Sequence, residues 1–370
     1  MKLEEVEFDG LILPLQEWFL KNARVLPWRR DPTPYHVWVS EIMLQQTRVE
    51  AVKRYYERFI QELPDLKSLA ECTEEKYLKL WEGLGYYSRV RNLHEAACQI
   101  EEMHKGIFPE EEKEILALKG IGSYTAGAIL SIAFQKPVPA VDGNVLRVLM
   151  RLAGDDSDIA EGSTKKRTES VLRALMEKHP KGSGENAIDP RIFSQALMEL
   201  GALVCLPNGL PICKSCPFEG ACQARKENLI ERLPRKKKAK ERRIEKRTVL
   251  LLKEDALVAI RKRPGKGLLA GLYELPNLEG NCSESEIVAY VRKLGLEPIR
   301  IKMLEESKHI FSHVEWHMTG YEVFLEGREE PFGEKVRKKE GLFFVNKEEM
   351  KEKYAIPTAF QAYRKYIMES

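Results

Sequence analysis

One stretch near the middle of the chain, residues 118–147, limits what the protein can fold into more than any other. Residues 121–135 carry no charged side chain, and apolar residues recur there at helical spacing, so we predict a buried helix. Gly120 and Gly122 precede it in a tight turn and allow positive φ or close approach of another backbone. A lone acid, Asp142, follows in PAVDGNV, directly before a second apolar run.

A short helix before Gly120, the glycine turn and the buried helix together predict a helix–hairpin–helix. Ser123 is the expected N-cap, and the free N–H groups of such a helix start form an anion site. DNA phosphate is the natural ligand, bound without reading sequence. Taken alone, however, the glycines are better explained by an ordinary helix–helix turn, and Asp142 by the capping of the next helix.

The composition is that of a globular chain of two or three domains. It has 370 residues, of which 43% are hydrophobic and 32% are charged. The N-terminus lacks the apolar core of a signal peptide, and no uncharged stretch approaches a membrane span. We therefore expect a cytoplasmic protein, associated with the nucleoid through DNA, in which cysteines ligate metal before they form disulfides.

The net charge is only +3, so DNA binding must depend on how charge is distributed. Residues 232–247 contain ten Lys or Arg against two Glu. We interpret residues 229–247 as a basic interdomain linker that can lie along phosphates. A merely solvated linker explains the same composition equally well.

Glu41 is the candidate general acid. It lies in a predicted helix at residues 35–47 and is the only carboxylate between Asp31 and Glu50. An acid in apolar surroundings has a raised pKa and can hold a proton near neutral pH, which suits acid catalysis. A solvent-facing Glu at a helix end is the alternative.

Two neutral or aromatic segments are candidate DNA contacts. Gln46, at the end of the Glu41 helix, has a long amide that could fill a gap in a base stack. The loop GLGYYSR, which contains Leu84 and Tyr86, could supply a wedge that unstacks bases. A helix–helix corner with ordinary tyrosine packing is the alternative for that loop.

Four cysteines within eighteen residues are a strong metal signal. They are Cys205, Cys213, Cys216 and Cys222. Four thiolates suit either a [4Fe–4S] cluster or zinc, and their spacing does not distinguish the two.

After the basic segment the pattern changes to short strands and helices. Residues 248–252 and 256–261 are β-rich, and residues 309–325 alternate in strand fashion over much of their length. These features predict a separate α+β domain.

The motifs LPWR, SEIMLQQT, GLGYYSR, LKGIGSYTA and PAVDGNV, then the four cysteines and FSH, resemble in order those of adenine DNA glycosylases of the MutY type. That resemblance implies a mainly α catalytic region at residues 1–228, of the endonuclease III-like, helix–hairpin–helix class, with two helical subdomains. It also implies a [4Fe–4S] loop at 205–222, the linker at 229–247, and a Nudix-like lesion-recognition domain at 248–370. One departure is that the first two cysteines are one residue further apart than is usual in the family.

The family's site roles transfer to matching positions. The resemblance implies catalytic roles for Glu41, Asp142 and Tyr124; DNA contacts by Gln46, Leu84, Tyr86, Gly120, Gly122 and Ser123; an adenine pocket with Trp28 and Arg29; lesion recognition by Phe311, Ser312 and His313; and cluster ligation by Cys205, Cys213, Cys216 and Cys222. The implied partner is duplex DNA with an A:8-oxoguanine or A:G mismatch, bound by a monomer.

The residue at position 124 distinguishes reaction types within the superfamily. Bifunctional members carry a nucleophilic Lys there, whereas Tyr124 cannot form a Schiff base, so we expect a monofunctional glycosylase. The helix near 283–296 lacks the clustered glutamates of a Nudix hydrolase, so we expect no pyrophosphate hydrolysis. The alternatives are a thymine or oxidised-pyrimidine glycosylase and a non-catalytic Fe–S protein that binds lesions.

Overall fold

The computed structural model describes residues 2–237, 241–327, 338–339 and 341–368. The chain divides into two compact units. The first comprises Met1–Glu71 and Arg91–Lys238, and the second comprises Cys72–Val90 and Ala239–Ser370. Residues 238–240 of the predicted basic linker lie outside the described residues. In the described ranges, no helix combines the length and apolarity needed to cross a bilayer.

The helices account for most of the first unit and part of the second. In chain order they are α1 (Asp9–Asn22), α2 (Pro27–Arg30), α3 (Pro34–Leu44), α4 (Val49–Glu62), α5 (Leu66–Glu71), α6 (Glu74–Leu80), α7 (Ser88–His104), α8 (Glu112–Ala117), α9 (Ser123–Ala128), α10 (Gly143–Ala153), α11 (Gly162–Lys178), α12 (Pro190–Leu203), α13 (Gln223–Lys226), α14 (Glu284–Lys293), α15 (Lys347–Glu352) and α16 (Gln361–Met368).

Helix α10 is the centre of the first unit's core. Every residue from Val145 to Ala153 is buried, as expected of a helix enclosed on all sides. Apolar side chains of α1, α11 and α12 surround it in one cluster. The start of α10, which carries the catalytic candidate Asp142 as its N-cap, is therefore held rigidly.

Helix α3 begins as the sequence predicts and ends earlier. The Thr33 hydroxyl accepts the His36 N–H at 3.2 Å, and Pro34 occupies the first helical position. The helix stops at Leu44 because Gln46 adopts a left-handed φ of 60°.

The helix predicted over residues 121–135 is shorter and changes type. Helix α9 passes into a π-helical turn at Ile129–Ala133. Ser123 is not the N-cap: Gly122 holds that position, and Ser123 is the first helical residue. The Ser123 hydroxyl donates instead to the Glu169 carboxylate at 2.7 Å.

The second unit contains a mixed sheet. Its strands are β1 (Arg243–Glu254), β2 (Leu257–Lys262), β3 (Tyr273–Glu274), β4 (Asn277–Glu279), β5 (Pro298–Ile310), β6 (Val314–Leu325), β7 (Lys338–Lys339) and β8 (Leu342–Val345). The order is β5-β6-β1-β2-β8-β7, with β3 beside β2 and β4 beside β1. Strands β1 and β6 are parallel, and the other pairs are antiparallel.

Both faces of this sheet are covered. Val249 and Leu251 belong to one apolar cluster, which includes Phe360 and residues of α16, while Leu250 and Leu252 belong to another that includes residues of α14. This split follows from the two-residue period of a strand. Strand β1 begins at Arg243, inside the predicted linker, because Arg243 to Arg247 pair with β6.

Candidate active site

A cavity of ≈ 790 Å³ lies within the first unit. Its volume is within the range of about 300–1,000 Å³ that small-molecule sites enclose. The lining includes the predicted catalytic and adenine-pocket residues and one predicted DNA contact: Trp28, Arg29, Glu41, Gln46, Tyr124 and Asp142. The structure therefore gathers six candidates from four separate stretches of the sequence at one site.

Glu41 is a buried carboxyl group that retains a proton unusually well. It lies on α3 with only 6% of its surface exposed. Burial, opposed by a hydrogen bond from Tyr124 and assisted by the negative charge of Asp142, raises its pKa from 4.5 to about 7. The nearby Arg29 lowers the pKa slightly in return. A group of this kind can both donate and accept a proton near neutral pH.

Asp142 is held in a different environment. Its Oδ1 accepts the backbone N–H groups of Asn144 and Val145 at 2.9 and 2.8 Å, and its Oδ2 accepts Asn144 Nδ2 at 2.7 Å. Burial raises its pKa above the usual value, while these hydrogen bonds oppose the shift. Three donors stabilise the charged form of Asp142, whereas one hydroxyl does so at Glu41. Asp142 is therefore the acid of the two that more readily ionises.

Tyr124 is a hydrogen-bond partner of Glu41. Its hydroxyl donates a hydrogen bond to Glu41 Oε2 and lies 3.5 Å from Met198 Sδ. Burial of the hydroxyl, followed by the charges of Glu41 and Asp142, raises the pKa of Tyr124 well above that of an ordinary phenol. Tyr124 is therefore a neutral donor at physiological pH.

Two glycines that sequence reasoning did not single out make this assembly possible. A Cβ on Gly127 would lie 2.1 Å from the Pro139 carbonyl oxygen, so only glycine lets the loop that carries Asp142 rest on α9. A Cβ on Gly201 of α12 would lie 2.6 Å from Asn144 Cβ. Both are contacts across the fold, and no local pattern reveals them.

Comparison with known proteins identifies the family. Residues 39–177 match the HhH-GPD superfamily base excision DNA repair protein, and residues 247–366 match the NUDIX domain. The adenine DNA glycosylase of Homo sapiens is 34% identical over 388 residues, covering 88% of this chain and 68% of the human protein. That of Buchnera aphidicola subsp. Schizaphis graminum is 34% identical over 312 residues, covering 84% of this chain and 86% of its own.

The chain belongs to the adenine DNA glycosylase family.

It is thus a base-excision-repair N-glycosylase that acts on adenine in DNA, with a helical HhH-GPD region followed by a Nudix-like domain. A solved thermostable thymine-DNA glycosylase shares the fold of the first region. It is 26% identical, with a TM-score of 0.50, over 58% of this chain and 95% of its own.

The cavity lining also contains a buried acid that sequence reasoning missed. Glu199 of α12 accepts Arg24 Nη2 at 2.7 Å and Arg29 Nη2 at 2.9 Å. Although burial alone would raise the pKa of Glu199, these guanidinium hydrogen bonds lower it to about 2. Arg29 is therefore fixed by Glu199 at the cavity wall, while Trp28 is buried edge-on against Tyr56 at 5.5 Å.

The hairpin preceding α9 is only partly as expected. Gly120 has a φ of 75°, and a Cβ there would lie 2.6 Å from Asn92 Cβ, so this position requires glycine. Gly122 has an ordinary φ of −103° and open space around it. One of the two glycines is thus required by the turn, and both are exposed.

The four cysteine side chains line one small apolar cavity beside α10. Arg151 Nη1 lies 3.4 Å from Cys205 Sγ, and Arg147 Nε donates to the Cys205 carbonyl at 2.7 Å. The four thiols thus share apolar surroundings, with one guanidinium beside Cys205 Sγ. Within the described part of the chain, no three His, Cys, Asp or Glu side chains are arranged to hold a single metal ion.

The predicted lesion-recognition residues form a turn in the second unit. The FSH sequence joins β5 to β6, so the expected long strand at 309–325 is interrupted there. The Phe311 N–H donates to the Val314 carbonyl at 2.8 Å, and its ring packs on Trp316 at 5.0 Å. Ser312 and His313 are exposed.

The GLGYY loop also lies in the second unit. Tyr86 is 50% exposed, has a φ of 48°, and places its hydroxyl 3.1 Å from Ser312 Oγ. Leu84 is only 7% exposed, so it supports the loop from inside and is not the DNA-facing side chain that we expected. Removing an apolar side chain of this size from water favours that placement.

Proposed function

We propose that this chain hydrolyses the N-glycosidic bond of adenine mispaired with 8-oxoguanine, or with guanine, in duplex DNA and leaves an intact abasic strand. The observation that carries the proposal is the meeting of Glu41, Tyr124 and Asp142 at one cavity, with the pKa of Glu41 raised to about 7. Two carboxyl groups with separated proton affinities are the machinery that glycosidic hydrolysis needs.

The reaction begins when adenine leaves the base stack and enters the cavity, which Trp28 and Arg29 help to line. Protonated Glu41 gives its proton to adenine N7, which makes the base a better leaving group. The C1′–N9 bond then breaks with its electron pair passing to the base, and the sugar becomes oxocarbenium-like. The Asp142 carboxylate stabilises this cation electrostatically.

Water completes the reaction. Glu41, now a carboxylate, accepts a proton from a water molecule as the water oxygen bonds to C1′. Tyr124 stays neutral and donates to Glu41, which stabilises the charged form that the first step produces. The cycle returns Glu41 to its protonated form.

The monofunctional outcome follows from the residue at position 124. A Schiff base to C1′ requires an amine, and Tyr124 has none. Lys165 is the one lysine among the described lining residues, and its Nζ lies 3.7 Å from a Glu169 carboxylate oxygen.

A Tyr124→Lys substitution should therefore introduce strand cleavage at the abasic site, with a protein–DNA adduct that borohydride traps. Lys165→Met serves as the control and should leave the strand uncleaved, as in the wild type. Trapping of the wild-type protein at the level of Tyr124→Lys would contradict the monofunctional assignment.

The partner base is read by the turn containing Phe311, Ser312 and His313. Ser312 and its backbone can hydrogen-bond the edge of the modified purine, since Ser312 is exposed while Phe311 is anchored on Trp316. Tyr86 and Gln46, both with left-handed φ at exposed turns, supply groups that enter the base stack. The N–H groups after Gly120 hold phosphate.

The four cysteines would ligate a [4Fe–4S] cluster, which ties their loop to α10 and so supports the helix that Asp142 caps. The apolar walls and the Arg151 contact to Cys205 support this choice of ligand set. Iron analysis together with a visible absorption band tests it. A colourless protein containing zinc would contradict it.

One experiment tests the substrate. Duplexes with A, T or C opposite 8-oxoguanine or guanine are incubated with the protein and then treated with alkali, which breaks the strand wherever a base has been lost. Breaks only in adenine-containing strands support the proposal. Breaks opposite T or C would indicate a thymine or oxidised-pyrimidine glycosylase, and unbroken strands throughout would indicate a protein that only binds lesions.

A further inference from the structure

The segment Cys72–Val90 belongs to the second unit although the chain on either side of it belongs to the first. It contains α6 and the GLGYY loop. The candidate wedge Tyr86 therefore lies in the same compact unit as the Nudix-like domain. The contacts within this unit explain the assignment.

An anchor of two charged side chains, Lys79 and Glu82, holds the segment on the C-terminal helices. Lys79 Nζ donates to the carbonyl oxygens of Met350 and Tyr354 at 3.3 and 3.0 Å. Both carbonyls lie around the C-terminal end of α15, where helix carbonyls lack intrahelical partners and a cation is favoured. Lys79 therefore acts as a cap for a helix that is distant in sequence.

Glu82 supplies the negatively charged half of the anchor. Its Oε1 accepts the Ile356 N–H at 3.1 Å and lies 3.2 Å from Arg364 Nη1. Its other oxygen lies 2.6 Å from Lys79 Nζ. The side chains of Lys79, Glu82 and Arg364 are only 20%, 14% and 19% exposed, so solvent screens this network less than a surface pair.

The chain between the anchor and Tyr86 is itself fixed. Trp81 Nε1 donates to the Gly85 carbonyl at 3.1 Å, and the Gly83 N–H donates to the Tyr87 hydroxyl at 3.3 Å. Arg89 lies over both the Trp81 and the Tyr86 rings, at 5.4 Å from each centroid. The position of Glu82 is therefore transmitted over four residues to the Tyr86 hydroxyl, which meets Ser312 at 3.1 Å.

We propose that Lys79 and Glu82 are positioning residues for discrimination of the base opposite adenine. By fixing α6 on the C-terminal helices they hold Tyr86 beside Ser312, so that the wedge and the recognition turn meet the partner base as one preformed element. Without the anchor, the Tyr86 loop and the recognition turn must be ordered separately when DNA binds. This lowers selectivity for the partner base but not the rate of the chemical step. This inference rests on the proposed function.

The test compares single-turnover adenine excision from A:8-oxoguanine and A:G duplexes, below saturation and at saturation. In Lys79→Met and Glu82→Gln, the preference for 8-oxoguanine should fall on the order of 10-fold, because misplacement of a contact by about 1 Å can cost up to 10²-fold. The saturated rate on A:G should stay within about two-fold of wild type, a change of under 1 kcal/mol. Lys79→Arg, which keeps the donors, should retain most of the preference.

Lys67→Met and Glu71→Gln provide matched controls. This i,i+4 pair is 71% and 69% exposed on α5, and its removal should leave the preference unchanged. Thermal melting of every variant identifies loss of folding. A wild type that releases adenine from neither duplex would overturn the proposed function and with it this role. A wild type that releases adenine from both duplexes without preference would overturn the positioning role alone. A wild type with the preference, and anchor variants that keep it or lose both activities equally, would overturn the positioning role alone.

Discussion

The cavity that holds Glu41 and the turn at residues 311–313, to which we assign adenine excision and recognition of the partner base, are built by opposite physical means. Glu41 is buried, and its pKa is displaced to about 7 by that burial. Ser312 is exposed and owes its position to backbone hydrogen bonds and to the packing of Phe311 on Trp316. Proton transfer needs an environment that shifts the pKa of the acid. Hydrogen bonding to a base edge needs a polar group that DNA can reach.

This contrast predicts that substitutions in the cavity change the rate and substitutions in the turn change selectivity. The largest effect is expected for Glu41→Gln, which keeps the size of the side chain and removes the transferable proton. Excision should fall by about 10²–10⁴-fold, the usual contribution of a general acid, while binding to the mismatch persists. Single-turnover rates and gel-shift affinities measure the two quantities.

Glu177→Gln is the matched control, since Glu177 is exposed on α11. It should leave both quantities at the wild-type level. If Glu41→Gln released adenine at a near wild-type rate, Glu41 would not be the general acid. The contrast between a rate-controlling cavity and a selectivity-controlling turn would then be wrong.

Asp142→Asn should lower the saturated excision rate by about 10²–10³-fold, the effect of removing one preorganised electrostatic group. The amide oxygen can still accept the Asn144 and Val145 N–H groups, so α10 should keep its cap. Circular dichroism checks the fold alongside the rate. A fully active variant would show that the cation is stabilised by another group.

The pH profile sharpens the role of Tyr124. Glu41 is protonated below its pKa of about 7, so the excision rate should decrease as pH rises through that value. Tyr124→Phe removes the hydrogen bond that lowers this pKa, so the decrease should move upward by roughly one to two pH units. Single-turnover rates across the pH range test this, with Tyr290→Phe on α14 as the control. If the excision rate of Tyr124→Phe decreased at a lower pH than that of the wild type, the assigned hydrogen bond would be contradicted.

Ser312→Ala should have the smallest effect. One neutral hydrogen bond is worth about 0.5–1.5 kcal/mol, so the preference for 8-oxoguanine over guanine should fall by roughly 2- to 10-fold with an unchanged rate at saturation. Ser170→Ala, which removes an exposed hydroxyl on α11, should change neither quantity. A loss of saturated rate with intact preference would place Ser312 in the chemistry and erase the distinction between the two regions.

Local patterns were informative wherever the relevant contacts are close in sequence. The start of α3 at Pro34, the burial of Glu41 on an apolar helix and the capping role of Asp142 all follow from local sequence. The predicted N-cap at Ser123 was wrong because the helix already includes Ser123, whose hydroxyl donates to the distant Glu169 carboxylate. Leu84, which we expected to face DNA, is instead buried.

By itself the sequence determined the family, the helical and Nudix-like regions, and two acids suited to glycosidic hydrolysis. Only the tertiary structure decided which groups surround those acids. Gly127 and Gly201 are required by close contacts with other segments, and the pKa of Glu199 is lowered by Arg24 and Arg29, which are distant in sequence. The assembly of Cys72–Val90 with the C-terminal domain likewise depends on Lys79 and Glu82 meeting partners more than two hundred residues away. Burial and contacts between distant residues set the pKa values and positions of these side chains, and local sequence spacing predicts neither.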